Sequence, residues 1–209
     1  MKNTVLMLIV WSCYLLSTHA ECALSVNWET HAFECADLIA TMPEDDPEFD
    51  EVRSIFLCYM QRAFDDGETL LHAPYKYKFC AKDTHLKTIE IALCRAIGRN
   101  TDFFESVLLQ QDDAGDTPFH AAIWYGHEDW LQLLIRVALA CTSACSLAYV
   151  EEILLIKNKQ GQSIFDLALA EIKKFTTQGD PLRAFACSTM FVSLVQFRHD
   201  LEEKSSELY

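Results

Sequence analysis

The chain has 209 residues, 51% of them hydrophobic, and a formal net charge of -14. This length suits one domain or a short repeat array with a sizeable core. The excess of carboxylates repels nucleic-acid phosphates, so we expect no nucleic-acid partner and favour basic partner surfaces. With only 6 Gly and 5 Pro, turn clusters are few, and a mainly helical chain is predicted.

The first twenty residues are typical of a secretory signal peptide. Lys2 precedes an apolar run from Val5 to Leu16, and small residues lead to Ala20. Because the run is too short to span a bilayer comfortably, no stable membrane span is expected. Residues 1–20 therefore predict an exported protein, secreted or periplasmic, cleaved after Ala20. The alternative is an apolar first helix that packs on the rest of the chain.

Residues 21–64 predict an N-terminal helical extension. Two helices are expected, over Asn27–Met42 and Glu48–Phe64, because apolar residues recur there at helical spacing. The acidic segment between them, with Asp46 directly before Pro47, favours a helix start. We therefore interpret these acids as helix-terminus residues, with a docking patch for a basic partner as the alternative.

One turn–helix–turn–helix unit stands out in the middle of the chain. Gly115 suits a tight turn, Thr117 can cap the following helix, and Pro118 fits its first turn. Gly126 is a natural stop for that short helix. A second, longer helix is predicted over Glu128–Ala140 from its apolar spacing.

The run Gly115-Asp116-Thr117-Pro118-Phe119-His120-Ala121-Ala122 resembles the ankyrin repeat. The signature of that family is a turn, then Thr-Pro-Leu-His-x-Ala, then two antiparallel helices. Phe119 departs from it by replacing Leu. The resemblance implies an all-α fold, a helix-turn-helix ankyrin-like solenoid. It also implies that His120 stabilises the turn by hydrogen bonds and performs no catalysis.

Weaker copies of the motif lie on both sides. Gly67-Glu68-Thr69-Leu70-Leu71-His72-Ala73 lies 48 residues earlier, although Pro74 then interrupts the helix. Gly161 opens a copy 46 residues later, in which Ser163 replaces Thr and Asp166 replaces His. Ile89–Gly98 and Thr101–Gln110 predict a further, degenerate helix pair. These spacings exceed the usual 33 residues, so residues 65–200 are predicted to be an array of about three repeats with irregular insertions.

Three more helical segments are predicted beyond the central unit. The first is an added helix over Ser146–Lys157, the second is a short helix that ends at Phe175, and the third is a final helix over Leu182–Leu201. Residues 201–209 are predicted to be a polar, frayed tail. This tail is rich in Glu and Ser and resembles the translocation signals of effectors that intracellular bacterial pathogens inject into host cells.

The cysteines suggest one disulfide and no metal site. Removal of residues 1–20 would leave eight of the nine cysteines, an even number that suits an oxidising compartment. A bridge between Cys22 and Cys35 is predicted, since both lie outside the repeats. The spacing of His72, Cys80 and His85 is irregular and no Cys-x-x-Cys pair exists, so neither a metal nor a cofactor is expected.

The resemblance implies a concave surface that binds another protein, of unknown identity. By the repeat pattern, Ala121, Trp124 and Tyr125 should lie on this concave side. Trp124 and Tyr125 are the best contact candidates because aromatic residues are enriched in binding hot spots. The loop acids Asp113 and Asp116 come next. The competing explanation is that the two aromatic residues pack against the basic-aromatic insertion Tyr75–Lys87.

Three functions remain open at this point. The first is an exported interaction protein that acts as an effector on a host protein. The second is an enzyme, a hydrolase or metal-dependent, with its site in the 74–87 insertion, where Cys80 and a histidine could form a nucleophilic pair. The third is a periplasmic scaffold. Because the phosphate-binding loop, the nucleophile elbow and the zinc-protease motif are all absent from the sequence, we do not expect an enzyme. The sequence does not predict the oligomeric state.

Overall fold

The computed structural model describes residues 28–61, 67–72, 74, 83–97, 107–141 and 147–207. Within these ranges every regular element is a helix, so the predicted all-α fold is confirmed. None of the helices in these ranges is long and apolar enough to cross a membrane. Eight helices have their bounds there: α1 (Trp28–Thr41), α2 (Phe49–Gln61), α3 (Asp83–Ile97), α4 (Pro118–Tyr125), α5 (Glu128–Cys141), α6 (Leu147–Leu155), α7 (Ile164–Gln178) and α8 (Pro181–Glu207).

The helices form two rows. Helices α4 and α7 are neighbours in one row, and α3, α5 and α8 follow one another in the other. The apolar side chains between the rows form one continuous core, in which Trp130, Phe119 and Phe197 are fully buried. Phe119 and Phe197 stack with ring centroids 6.4 Å apart, which joins the start of α4 to α8. Each helix pair buries its apolar faces against its neighbours, as a stacked repeat array requires.

Helices α1 and α2 cover the free side of α3. Arg95 of α3 donates hydrogen bonds to the carbonyl oxygens of Ile39 and Met42, at the end of α1. The last carbonyls of a helix lack partners within that helix, so a partly buried cation is a suitable partner for them. The guanidinium also lies 4.9 Å from the ring centre of Phe49, the first residue of α2. Arg95 therefore fastens the N-terminal extension to the array.

The first repeat unit differs from the sequence prediction. A helix was expected to begin at Ile89 and to act as the short first helix of a separate pair. Instead α3 begins at Asp83, and it packs against α5, the second helix of the central unit. Arg136 of α5 donates two hydrogen bonds to the carboxylate of Glu90, at 2.8 and 2.9 Å. Helix α3 is therefore the second helix of the unit that opens at Gly67.

Three units result. The first comprises residues 67–72 with α3, the second comprises residues 112–117 with α4 and α5, and the third comprises residues 158–163 with α7 and α8. Helix α6 is an insertion before the third unit and packs against α8 and α7. The added helix predicted over Ser146–Lys157 is thus present, two residues shorter at its end.

The C-terminal region is more ordered than the sequence suggested. A frayed tail was expected from residue 201, but α8 continues to Glu207. Leu201 is buried in the core, and the ammonium of Lys204 donates a hydrogen bond to the carbonyl oxygen of Leu139, at 2.8 Å. These two contacts to the array hold the last turns of the helix in place.

Some sequence predictions concern residues outside the described ranges. They are the signal peptide over residues 1–20, the half of the proposed disulfide at Cys22, residues 75–82 of the basic-aromatic insertion, and most of the helix expected over Thr101–Gln110. These stay predictions.

Candidate functional site

The central unit begins with a fully formed helix cap. The Thr117 hydroxyl accepts a hydrogen bond from the backbone N–H of His120, and Nδ1 of His120 accepts one from the backbone N–H of Thr117, at 3.3 Å. This reciprocal pair is a capping box with His in the place of Glu. Pro118 occupies the first turn, and Gly126 ends the helix in the left-handed conformation with φ +72°. The predicted roles of all four residues are confirmed.

The same histidine also reaches the next unit. Because Nδ1 accepts a hydrogen bond, the ring proton lies on Nε2, which is 3.1 Å from the carbonyl oxygen of Gln162 and donates to it. The arrangement recurs in the first unit, where Nε2 of His72 donates to the carbonyl oxygen of Asp116 at 2.9 Å. Burial lowers the pKa of both imidazoles and thus favours their neutral form. Both ring nitrogens of each histidine are therefore engaged in the fold.

The third unit keeps the helix cap but lacks the histidine that links one unit to the turn of the next. The backbone N–H and the hydroxyl of Ser163 donate to the Asp166 carboxylate, at 3.0 and 2.8 Å, and these bonds lower the pKa of Asp166. An ionised carboxylate only accepts hydrogen bonds, so Asp166 cannot donate to the turn of a further unit as His72 and His120 do. The change from His to Asp seen in the sequence thus coincides with the last unit of the described array.

The turns of successive units also stack. The carboxylate of Asp112 accepts hydrogen bonds from the backbone N–H groups of Ala114 and Asp116, both at 2.8 Å. One unit later, the side-chain oxygen of Asn158 accepts hydrogen bonds from the backbone N–H groups of Gln160 and Gln162. The backbone N–H of Lys159 donates to the carbonyl oxygen of Ala114, which joins the two turns.

Trp124 and Tyr125 lie at the end of α4 and are 49% and 46% exposed. Each is in contact with a different neighbouring unit. The Tyr125 hydroxyl donates to the Glu68 carboxylate of the first unit, at 2.8 Å. The ammonium of Lys174, in the third unit, lies 4.9 Å from the centre of the Trp124 ring. We call Glu68, Trp124, Tyr125 and Lys174 the aromatic site.

The charges at the aromatic site are held by buried neighbours. Lys174 pairs with Glu171, at 2.8 Å, and the Glu171 side chain is only 5% exposed. The same ammonium lies 5.0 Å from the Phe175 ring centre. A cation fixed between a buried carboxylate and aromatic rings has little freedom to move, which orients Lys174 over Trp124. The site therefore offers two half-exposed rings in fixed positions.

The other predicted contact residues differ in accessibility. Ala121 is buried, so it offers almost no surface to a partner. The Asp116 carboxylate accepts a hydrogen bond from the Asn158 amide, at 2.9 Å, which gives it a role between turns. Asp113 is exposed, and its backbone carbonyl accepts a hydrogen bond from the Lys159 ammonium. Trp124 and Tyr125 therefore lie together at the end of α4, whereas Asp113 and Asp116 take part in the contacts between successive turns.

Sequence reasoning did not identify Glu68, Glu171 or Lys174. The sequence contained a signal for Glu171 only. The second and third units are offset by 46 residues, so Glu171 occupies the position in the third unit that Tyr125 occupies in the second. The alternative in which Trp124 and Tyr125 pack on the 75–87 insertion concerns residues that are mostly outside the described ranges. The contacts with Glu68 and Lys174 are independent of that insertion.

A cavity and a cluster of polar side chains lie outside the aromatic site. A cavity of about 460 Å³ lies between α6, the start of α7 and α8, with Leu154, Phe165 and Leu201 in its wall. His199, Asp200 and Glu203 bring possible metal-ligand atoms within 4.8 Å of one another on α8. This second group is largely exposed, and exposed acids often cluster without a metal, so it supports no metal assignment. The possible nucleophile Cys80 lies outside the described residues.

Comparison with known families gave one match. The sequence model of the ankyrin repeat family matches residues 114–146, the length of one repeat. Residues 114–146 are thus an ankyrin repeat, in agreement with the resemblance found in the sequence. A comparison with curated proteins gave no match. Ankyrin repeats are typically non-enzymatic protein-interaction modules, so residues 114–146 indicate a protein-interaction module in this chain.

Proposed function

We propose that this protein is exported and binds a partner protein through the aromatic site. The observation that carries the proposal is that Trp124 and Tyr125 remain about half exposed although contacts from two neighbouring units hold them in place. Large aromatic side chains are enriched in binding hot spots. Side chains that are already ordered lose less entropy on binding, which favours affinity.

Charge favours a partner with a basic surface. The chain carries a net charge of -14, and a protein field of this sign accelerates the approach of positively charged partners. Next to Lys174, the exposed parts of the Trp124 and Tyr125 rings can contact the stem or the cation of a basic side chain. A basic segment with an arginine suits these rings.

A pull-down with matched variants tests this surface. Trp124→Ala and Tyr125→Ala should each abolish capture of the partner that the wild-type chain retains. Leu155→Ala is the control, because Leu155 is an exposed apolar residue on α6, outside the aromatic site. Circular dichroism and thermal unfolding of each variant check the fold. Unchanged capture by both aromatic variants, with the fold intact, would show that the aromatic site is not the interface.

The export part of the proposal is supported by residues 1–20. Cleavage after Ala20 should leave Glu21 as the first residue of the exported protein, which N-terminal sequencing detects. An intact Met1 on protein recovered outside the cytoplasm would contradict a cleaved signal. Cleavage after Ala20 is expected for a secreted protein and for a periplasmic scaffold alike. Cell fractionation distinguishes them, because it shows whether the protein is in the medium or in the periplasm.

We further propose that the protein is an effector that acts on a host protein. Its support is the predicted export signal together with the Glu- and Ser-rich C-terminus. A reporter fused to the full chain should then become active inside host cells exposed to the producing cell. Loss of that signal on removal of residues 208–209 and the last turn of α8, with export retained, would assign delivery to the C-terminus. No signal with the intact fusion would contradict the effector role.

A further inference from the structure

The first half of α8 presents an apolar outer side. Leu182, Phe185, Val192 and Val195 are 82%, 70%, 66% and 48% exposed, while Cys187, Met190 and Leu194 on the opposite side of the same helix are buried. Isolated exposed apolar residues are common, but four within fourteen positions of one helix form a patch. We call these four residues the α8 patch.

The α8 patch belongs to the third unit, and among the described residues no further unit stacks on the outer side of this unit. The equivalent positions Ile123 and Leu169, 46 residues apart, show this directly, since Ile123 is 1% exposed and Leu169 is 51% exposed. Ile123 is covered because the third unit stacks beside the second. An outer face that no neighbouring repeat covers is normally polar, which keeps the protein in solution. The third unit instead exposes apolar side chains on both of its helices.

The α8 patch is almost free of charge in a highly acidic chain. Between residues 181 and 195 the sole charged residue of α8 is Arg183, whose guanidinium pairs with Asp180 at 3.6 Å. From α5, the Glu128 carboxylate reaches the edge of this segment, where it is neutralised in part by a hydrogen bond from the Thr189 hydroxyl, at 3.0 Å. From Arg198 onward the outer side becomes charged, with Glu202 and Glu203. Two copies of an acidic chain repel each other, so they can meet closely only where the surface carries little charge. The α8 patch is such a surface.

The spacing of the four residues along α8 suits pairing with the same helix of a second copy. The four residues are separated by three, seven and three positions, so their order is the same in both directions about the midpoint between Ser188 and Thr189. If two copies of α8 cross antiparallel at that midpoint, Phe185 of each lies against Val192 of the other. Leu182 likewise lies against Val195, and the small Ser188 permits close approach at the centre. This pairing is the self-complementary contact that two-fold symmetry demands.

We propose that the α8 patch is a dimer interface, occupied by the α8 patch of a second copy of this chain in antiparallel orientation. The two-fold axis passes between Ser188 and Thr189. This surface lies on the outer side of the third unit and is separate from the aromatic site, so the dimer does not depend on the proposed partner binding. Because the pairing is apolar and the chains are both acidic, added salt strengthens the dimer by screening their repulsion.

A charge-complementation experiment tests the interface and its register together. Phe185→Glu and Val192→Lys should each convert the dimer into a monomer, because a charge would be buried against an apolar side chain. In a mixture of the two variants, Glu at 185 of one chain faces Lys at 192 of the other, and the remaining Val192 faces Phe185. The mixture should therefore regain dimers. The control Leu155→Glu places the same charge on an exposed apolar residue of α6 and should leave the dimer intact.

Analytical ultracentrifugation of the full chain at about 100 µM gives the readout, and circular dichroism confirms that each variant is folded. The wild type should have a mass near twice 23.9 kDa. A monomeric wild type would overturn the proposal and leave the patch to a different protein or to residues 1–27 of its own chain. Dimers that persist in a folded single variant, or a mixture that stays monomeric, would also overturn it.

A cross-link gives a second readout that does not require charged variants. Ser188→Cys places a thiol beside the two-fold axis and should give a disulfide-linked dimer under mild oxidation. Leu155→Cys is the control and should give no more cross-linked dimer than the wild type, whose exposed Cys58 sets the background. Equal cross-linking of the two variants would contradict the antiparallel pairing at residue 188.

Discussion

Nε2 of His72 lies 2.9 Å from the carbonyl oxygen of Asp116, and 48 positions later Nε2 of His120 lies 3.1 Å from the carbonyl oxygen of Gln162. Each histidine thus closes the cap of its own unit and binds the turn of the next. These two side chains join three units that differ in length and carry insertions. They are central to the stability of the array.

Replacement of His120 by Asn should separate its two roles. The shorter amide can still accept from Thr117 but cannot reach Gln162, so the carbonyl of Gln162 loses its partner. We expect a loss of about 1–3 kcal/mol in the free energy of unfolding, the usual cost of a buried polar group left unpaired. Urea unfolding followed by circular dichroism measures it. Asp166→Asn is the control, since Asp166 is exposed and links to no further unit, and its effect should be clearly smaller.

Stability should fall as the pH drops below neutrality. Burial lowers the pKa of His72 and His120 in the folded chain below the value of 6.5 expected when unfolded. The unfolded chain therefore binds more protons between 6.5 and the lowered values, and the free energy of unfolding decreases as the pH falls through that window. The nearby acids Asp112 and Glu68 oppose the shift but do not reverse it.

Urea midpoints at pH 7.5 and pH 5.5 test this dependence. The wild type should lose stability at the lower pH, and the double variant His72→Asn/His120→Asn should lose less between the same two values. An equal loss in both proteins would assign the pH dependence to groups other than these two histidines.

Gly115 and Gly161 offer a matched pair of substitutions. Both have positive φ, +79° and +76°, so alanine is strained by about 1–2 kcal/mol at either position. A Cβ on Gly115 would also lie 2.7 Å from the backbone nitrogen of Lys159, whereas nothing lies within 4 Å of a Cβ on Gly161. Gly115→Ala should therefore cost about 1–3 kcal/mol more than Gly161→Ala, because the stacked turns must separate. Equal unfolding free energies for the two variants would show that the turns are not in close contact.

Arg95→Met should detach the N-terminal extension. Methionine keeps most of the apolar stem but leaves the carbonyls of Ile39 and Met42 without their donor, at a cost of about 1–3 kcal/mol. Hydrogen exchange should then quicken in α1 and α2 more than in α5. Arg183→Met serves as the control, since Arg183 is exposed and its ion pair is with Asp180, three residues before it in the chain. Uniform exchange across the array in the Arg95 variant would contradict a local fastening role.

Local chain physics explains the part of the fold that was predictable. A left-handed turn at Gly115, a cap at Thr117 and a stop at Gly126 each depend on residues within a few positions, so α4 and α5 were placed correctly from the sequence. The same local rules predicted α6 to within two residues at its end. The structural role of His120 was instead implied by the resemblance of the central run to the ankyrin repeat signature.

Tertiary contacts decided the rest. Whether Asp83–Ile97 forms the first or the second helix of a unit depends on which helix it meets, and α5 settles it through the Arg136–Glu90 pair. The polar sequence after residue 200 suggested a frayed end, but Leu201 and Lys204 find partners in the array and extend α8.

The sequence alone determined the repeat motif and the helical class, because these follow from residue type and short spacing. Trp124 and Tyr125 became candidates through the resemblance to the ankyrin repeat and through their aromatic character. The structure alone identified Glu68 and Lys174 as their neighbours and the α8 patch as uncovered. Such relationships join residues about fifty positions apart. They depend on how insertions of unequal length let the units stack, and no local rule of chain geometry carries that information.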